Sequence, residues 1–427
     1  MKKISFFLIL FLAFALPSFA DGVEFSGDID TALGVAAPWT DKDSAAGHFT
    51  LGESSLTGKL NAYYADSSAY AEGTFSYKKN EDGNLGKGFN LSLNELFADY
   101  SSSFWAIRVG RQKASWGKSD GIDITNVLCP SDLSSVAAMV SENSKQAVDA
   151  IRFSASISTF TADVWWIPFF TPAELPKSLA ARTIIEKPEL AIWNGEYGLK
   201  LSGYFSSFDI SLYGFYGWDD IPLFDYSVSS KGDVLINGRY KSMMMFGADA
   251  AIPIGETVIR LESAFFPQRY LQKKAQTIIE EKTKNAMIAS MTGTTPLPVE
   301  NALQKNQLSA LAGIDWMPSG WAITAQYYCD YIPGNIDGLD RNNAYTHGVT
   351  ISVSRTLLSD TLELCVNGLL GLNDFDSMIN PYAKYSVSDQ FSVTCGAYIL
   401  SPGPKNNGKF GSYKNSSSFY VNGKFSF

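Results

Sequence analysis

The segment WAITAQYYCDY, residues 321–331, sorts its side chains onto two faces. Trp321, Ile323, Ala325, Tyr327, Cys329 and Tyr331 fall on one side of an extended strand, and Thr324, Gln326, Tyr328 and Asp330 on the other, because successive side chains alternate across the pleat. A strand of this kind is apolar on one face and wet on the other. The same period of two returns in FDISLYGFY (208–216), HGVTISVS (347–354), LELCVNGLLGL (362–372) and FSVTCGAYI (391–399). In the last residues, SFYVNGKFSF (418–427), Phe419, Val421, Gly423, Phe425 and Phe427 share one face.

The connections between these strands are of two kinds. Short ones lie around Asp66–Ser68, Ser101–Ser103, Ser156–Thr159, Ser206–Ser207, Pro253–Glu256, Pro318–Gly320, Leu358–Thr361 and Val387–Gln390. They alternate with longer polar stretches near 36–50, 79–88, 114–147, 169–193, 217–241, 267–306, 332–343, 373–377 and 401–415. Eight short turns and nine long loops join 18 strands and leave both chain ends on the short-turn side. That is the plan of an all-β, single-chain transmembrane antiparallel β-barrel of about 18 strands (16–18), with short periplasmic turns and long extracellular loops. The pattern is least regular around Glu72 and around Met243–Met245.

Aromatic residues follow six of the short turns: Tyr70, Phe104 with Trp105, Phe160, Phe208, Trp321 and Phe391. A ring of them at one level predicts a girdle at the lipid–water boundary. Closure requires the last strand to pair with VEFSGDIDTALG (23–34), since an open edge has no partner for its backbone in lipid. Phe427 and Phe425 then stand at the periplasmic level and resemble the C-terminal aromatic signal read by the barrel-assembly machinery.

Residues 1–20 have the form of a cleaved secretory signal peptide: Lys2 and Lys3, the apolar run FFLILFLAFAL, then Ser18-Phe19-Ala20. The run is too short for a membrane helix, and no later stretch approaches the roughly 18 apolar residues one needs. Residues 21–427 are therefore expected to form the barrel, in a bacterial outer membrane. Without the two leader lysines, 32 Lys+Arg face 43 Asp+Glu, a formal charge of −11. An acidic chain of this kind lacks the basic footprint of a nucleic-acid binder. Four widely spaced cysteines, Cys129, Cys329, Cys365 and Cys395, read as unpaired small residues. The segments 268–291 and 173–185 carry helical patterns and are expected to cap the barrel or plug it in part.

The loop 114–147 is more specific. With the end of the preceding strand it reads GRQKASWGKSDG (110–121), then Asn126 and CPSDLS (129–134), and this resembles the GRQ…WG…G…N…P.D signature of alginate-export-like and related outer-membrane porins. The resemblance implies a large single-chain barrel whose loop packs inside or over the pore, as the third extracellular loop of porins commonly does. Gly117, Gly121, Asn126 and Pro130 suit tight turns, and Ser131 or Asp132 suits the cap of a short helix over 132–141. Alginate itself is not supported, because the lumen of that family resembles an arginine-lined conduit and the inward charge here is mixed.

With the apolar faces turned to lipid, the lumen is expected to carry Lys59, Arg108, Arg152, Lys200, Arg260 and Lys384. The acidic lining is Asp28, Asp30, Asp99, Asp163, Glu196, Asp209, Glu262, Asp315, Asp330 and Glu363. Mixed charges in a narrow water-filled passage orient polar solutes and bias ions; they also pair to stiffen a wall. Arg108 and Arg152 flank the loop, and its Asp120 and Asp123 are placed to face them. Asp120, Asp123 and Asn126 lack the spacing of a calcium loop, and no metal or cofactor motif appears.

Only two histidines exist, His48 and His347, and Ser352 and Ser354 fall on the face opposite His347, so no hydrolase pairing is expected and the chain does not read as an enzyme. The function expected is a porin-like channel for small hydrophilic solutes or ions. Its partners would be outer-membrane lipid, the barrel-assembly machinery, its solutes and, in an oligomer, further copies of itself. Uptake of an apolar ligand such as a long-chain fatty acid and adhesion through the loops are the alternatives.

Overall fold

The structure, a computed structural model, describes residues 22–37, 39, 47–78, 88–134, 144–176, 179, 183–228, 234–406, 408–413 and 416–427. The expected signal peptide, residues 1–20, lies outside them, as does most of the expected helix over 132–141.

Among the described residues twenty-one strands form two sheets. The first strands are β1 (Gly22–Ala36), β2 (Phe49–Tyr64), β3 (Ser67–Lys78), β4 (Phe89–Ser101), β5 (Trp105–Gln112), β6 (Val148–Ile157), β7 (Phe160–Ile167) and β8 (Thr183–Glu186). Next come β9 (Glu196–Tyr204), β10 (Asp209–Trp218), β11 (Leu223–Val228), β12 (Val234–Arg239), β13 (Ser242–Ile254) and β14 (Thr257–Gln272). After helix α1 (Ala275–Thr292) follow β15 (Ala302–Trp316), β16 (Trp321–Tyr331), β17 (Tyr345–Leu357), β18 (Leu362–Gly371), β19 (Ser377–Ser386), β20 (Phe391–Ser401) and β21 (Ser418–Ser426).

Eighteen of these, all but β8, β11 and β12, form one antiparallel sheet that closes on itself through β1 and β21. The seam runs from Asp28 opposite Ser426 to Ala36 opposite Ser418. Beyond the strand end, Gly27 and Phe427 exchange two backbone hydrogen bonds of 2.9 Å. A Cβ on Gly27 would lie 2.5 Å from the Thr57 carbonyl oxygen and 2.7 Å from the Phe427 ring, so glycine is required there. Closure pairs every strand on both sides, the condition for spanning lipid with β-structure.

The side-chain pattern fixes which way the wall faces. Leu212, Leu261 and Tyr327 are 53 %, 44 % and 44 % exposed, while their neighbours Tyr213, Glu262 and Gln326 are buried. The apolar exterior is that of a membrane-spanning barrel. The expected short turns all join neighbouring barrel strands, and Phe104, Phe160, Phe208, Trp321, Phe391 and Phe427 stand exposed near that rim.

Tyr70 is a correction. It does not join the girdle but faces the lumen, its hydroxyl donating to Glu72 Oε2 at 2.6 Å and its ring 5.2 Å from that of Phe97. The cause is local: Tyr70 shares the inward face of Asn61 and Glu72, and Tyr64 on β2 is the exposed aromatic at that turn. The irregularity at Glu72 is a β-bulge on β4, where Asn94 is the extra residue and its amide donates to Glu72 and Thr74.

The loops carry structure of their own. β11 and β12 form a hairpin to which β8 adds in parallel. Thr183–Glu186 is thus strand, which corrects the helical reading of that end of 173–185. Helix α1 begins at Ala275 rather than 268, because Gln268–Gln272 extend β14 against β15. It packs on the hairpin through Ile278, which is fully buried, and a Lys282–Asp225 ion pair of 2.6 Å.

Candidate functional site

The described first part of the loop, residues 114–134, enters the barrel. Its partners are inward-facing residues on strands remote from its own root on β5 and β6. Gly117 N donates to Tyr213 Oη on β10 at 3.1 Å, and Lys118 N and Ser119 N donate to Glu262 Oε2 on β14 at 2.8 and 3.0 Å. Thr125 gives both its N and its Oγ1 to Glu262 Oε1, each at 2.8 Å. One carboxylate thus accepts four hydrogen bonds from the loop and is itself 3 % exposed. Hydrogen bonds to a charged acceptor are each worth about 1.5–3 kcal/mol net, so this is the chief polar attachment. Asp120 N reaches Gln326 Oε1 on β16 at 3.4 Å, beyond the far side of β14.

Sequence explains why the loop fits so closely. Gly117 has φ +86°, a left-handed conformation, and a Cβ there would lie 2.5 Å from the Glu262 carboxylate. Trp116, Ile124, Leu128 and Cys129 of the loop are buried against Trp165, Tyr213, Met245, Phe266 and Leu311 of the wall. The Trp116 and Tyr213 rings are 5.0 Å apart. Ile122 touches this cluster and also a second one formed by Leu369, Met378, Leu400 and Phe410, from β18, β19, β20 and the last loop. The loop therefore bridges two walls of the lumen. Cys129 is buried and accepts a hydrogen bond from Ala114 N at 3.1 Å, and burial pushes its thiol pKa up to about 11.

The charged residues expected to line the pore sort differently from the sequence reading. Arg108 holds Asp99 with two bonds of 2.7 and 2.8 Å and lies over the Phe97 ring at 3.9 Å. Arg152 pairs with Asp163 at 3.1 Å, and Ser154 also donates to that carboxylate. Asp120 and Asp123 do not face these arginines. Asp120 pairs with Arg260 at 2.7 Å, and Asp123 with Lys145 of its own loop at 2.9 Å. Arg108 and Arg152 are already held by carboxylates on adjacent strands, and the Glu262 attachment draws the loop toward β14.

Arg260 completes the attachment, donating to Lys118 O at 2.8 Å and pairing with the buried Asp315 at 2.5 Å. Two other expected lining residues are enclosed by protein. Glu262 lies beneath the loop, and Glu196 is buried at the head of β9, accepting from Trp218 N at 3.0 Å. Lys200 sits in register with Asp163, its ammonium 5.6 Å from the Tyr213 ring centre, and forms no ion pair among the described residues.

Tyr213, Gln326 and the Met243–Met245 segment were not singled out as loop contacts by sequence. For Met243–Met245 the signal was the irregular alternation itself, whereas Tyr213 and Gln326 lie in regularly alternating strands that carry no such sign. On β13, Met243 and Met245 point inward and Met244 outward, because the inner face there meets a loop instead of water.

No protein-family model matches the chain, and no curated protein matches it. The alginate-export-like resemblance of 110–134 thus has no family model behind it. Solved structures do match. OccAB3 of Acinetobacter baumannii superposes with TM-score 0.53 at 9% identity, over 95% of this chain and 99% of that one. OccAB1 of the same organism gives 0.52 at 10% identity, over 96% and 97%. OccK9 (OpdG) of Pseudomonas aeruginosa gives 0.52 at 8% identity, over 96% and 99%. The chain has the fold of these bacterial outer-membrane porins.

Proposed function

We propose that this chain is an outer-membrane channel through which small hydrophilic solutes or ions diffuse, its lumen narrowed by the loop 114–147. The observation that carries the reading is the attachment of that loop to Glu262, Arg260 and Gln326, on strands far from its root. A surface lid would leave those inward side chains in water. An inward loop fastened to two walls sets the width of the passage and brings its own charges to it.

Selectivity is assigned to the groups left over after the wall has paired its charges. Arg108, Arg152 and Arg260 are tied to Asp99, Asp163, and Asp315 with Asp120. Lys118 on the loop and Lys200 on β9 have no ion pair among the described residues and favour anions beside the loop, whereas Asp209 and Glu363, likewise without an ion pair among those residues, favour cations where they stand. Phe427 and Phe425, exposed at the seam, are assigned to recognition by the barrel-assembly machinery.

The test is planar-bilayer recording of the refolded mature chain. Stepwise conductance is expected, rising when residues 118–126 are replaced by a short Gly/Ser linker. Absence of conductance in both proteins would overturn the reading. An apolar-ligand transporter would instead retain fatty acid within the lumen, against the ion pairs and hydroxyls that line it.

A further inference from the structure

The barrel's outer surface is not uniformly convex. One register row runs Trp321, Arg355, Leu364, Ala383, Cys395 across β16 to β20. All five side chains face lipid, since their strand neighbours Ser354, Cys365, Lys384 and Thr394 face the lumen. The row begins with the two largest residues and falls to two small ones. Pro381, two residues before Ala383, adds little height, and the backbone pairing of β19 with β20 skips it. The result is a shallow groove of about 570 Å³ with Trp321 and Arg355 among its lining residues.

Arg355 is the residue that needs explaining. It lies two positions from the periplasmic end of β17, and Trp321 is the first residue of β16, so both stand at the periplasmic boundary. Its guanidinium is over the Trp321 ring at 4.9 Å, and among the described residues no carboxylate pairs with it. The other outward arginine, Arg111, near the opposite rim, is paired with Asp149 at 3.3 Å. An exterior charge is tolerated near the interface, where it reaches the headgroup layer. A guanidinium there is also suited to hold a phosphate through two parallel hydrogen bonds.

We propose that this groove is a binding site for one glycerophospholipid of the periplasmic leaflet, its phosphate on Arg355 and an acyl chain lying over Ala383 and Cys395. The ring of Trp321 fixes the guanidinium at the right height, and the small residues make room for methylenes that would otherwise pack against loosely ordered lipid.

The experiment is native mass spectrometry of the refolded mature chain in a mild detergent, with phosphatidylglycerol or phosphatidylethanolamine added at equal concentration. Wild type is expected to hold one phospholipid of either kind. Arg355→Gln should lower its retention about tenfold, and Ala383→Trp, which fills the groove while leaving the arginine, should abolish it. Unchanged heat-modifiable mobility on gels confirms that both variants fold.

Equal lipid retention in all three proteins would overturn the proposal. So would displacement of the lipid by millimolar inorganic phosphate alone, which would mean the headgroup charge is held without the chain. Protection of Cys395 from a maleimide by oligomerisation in lipid-free detergent would assign the groove to a second copy instead. None of these outcomes depends on conductance, so the channel reading stands or falls separately.

Discussion

On β10, β13 and β14 the inner face carries Tyr213, Phe215, Met243, Met245, Ala264 and Phe266; on β17 and β18 it carries Thr350, Ser352, Ser354, Glu363 and Asn367. Both walls show lipid the same kind of surface, with Leu212, Phe246 and Phe265 on one and Ile351, Leu364 and Val366 on the other. The difference lies inside. The first wall is the floor on which the loop rests, whereas the second faces open lumen over most of its length and meets the loop only near its extracellular end, where Leu369 packs with Ile122. Strands whose inner face turns apolar over part of its length, beside a few buried polar anchors such as Glu262, thus mark where a barrel is filled, and strands whose inner face stays polar mark where it is open.

The sharpest way to break this contrast is to place the same charge on each wall. Met245→Asp puts a carboxylate under the loop with no partner, which should cost roughly 4 kcal/mol or more. Ser352→Asp puts one into open lumen and should change stability by about 0.5 kcal/mol or less. Urea unfolding of the two refolded proteins measures both. Equal losses would mean that the two walls are not differently filled.

The next effect concerns the attachment itself. Glu262→Gln keeps one acceptor but turns the other oxygen into an NH₂ facing Lys118 N and Ser119 N, both donors. Losing two charge-assisted hydrogen bonds should weaken docking by about 3 kcal/mol. Conductance should rise and become noisy, and Gly117→Val, which places a side chain against the same carboxylate, should reproduce it. A quiet wild-type conductance in both variants would show that the apolar contacts of Trp116 and Leu128 hold the loop unaided.

How much of this was legible beforehand can be judged residue by residue. The wet wall announced itself: WAITAQYYCDY and HGVTISVS alternate because each face has one solvent, and the turns at Pro318–Gly320 and Leu358–Thr361 punctuate them. The hairpin of β11 and β12 was hidden in a polar loop, because its pairing depends on a strand and a helix from other loops. The bulge at Asn94 shifted the register on β4 by one residue, which no local pattern declares. The partners of Asp120 and Asp123 were misread for a physical reason. Charge pairing across a lumen follows the fold of the loop, and that fold is set by Glu262, a residue 144 positions from Lys118.

A third test uses the two extremes of cysteine environment. Cys395 is exposed on the outer wall, whereas Cys129 is buried beneath the loop with its thiol at about 11. Only the thiolate reacts, so at pH 8 roughly one part in a thousand of Cys129 is ionised even where reagent can reach it. With Cys329 and Cys365 replaced by Ser, a water-soluble maleimide should label Cys395 in detergent within minutes and spare Cys129. In Glu262→Gln the Cys129 label should appear at least tenfold faster. Equal rates in the two backgrounds would separate conductance changes from loop undocking.

The smallest effect lies where the loop's tip region meets the second wall. Neighbouring protein partly desolvates the ammonium of Lys409, beside Phe410, and so lowers its pKa from the ordinary 10.5 although the residue keeps an exposed surface, with Asp376 and Asp123 drawing it back up. A lysine with a lowered folded value releases its proton more readily in the folded state. That partial desolvation costs a little stability at neutral pH, screened by the solvent the side chain still meets, and the cost fades as pH rises through the folded value toward 10.5. Lys409→Met should then raise the unfolding midpoint only slightly at pH 7, by a solvent-screened amount of about 0.5 kcal/mol or less, and the gain should shrink by pH 10. A gain that stays constant over this range would locate the effect in packing beside the Phe410 ring, so that the second wall grips the loop by shape alone and the charge of Lys409 takes no part.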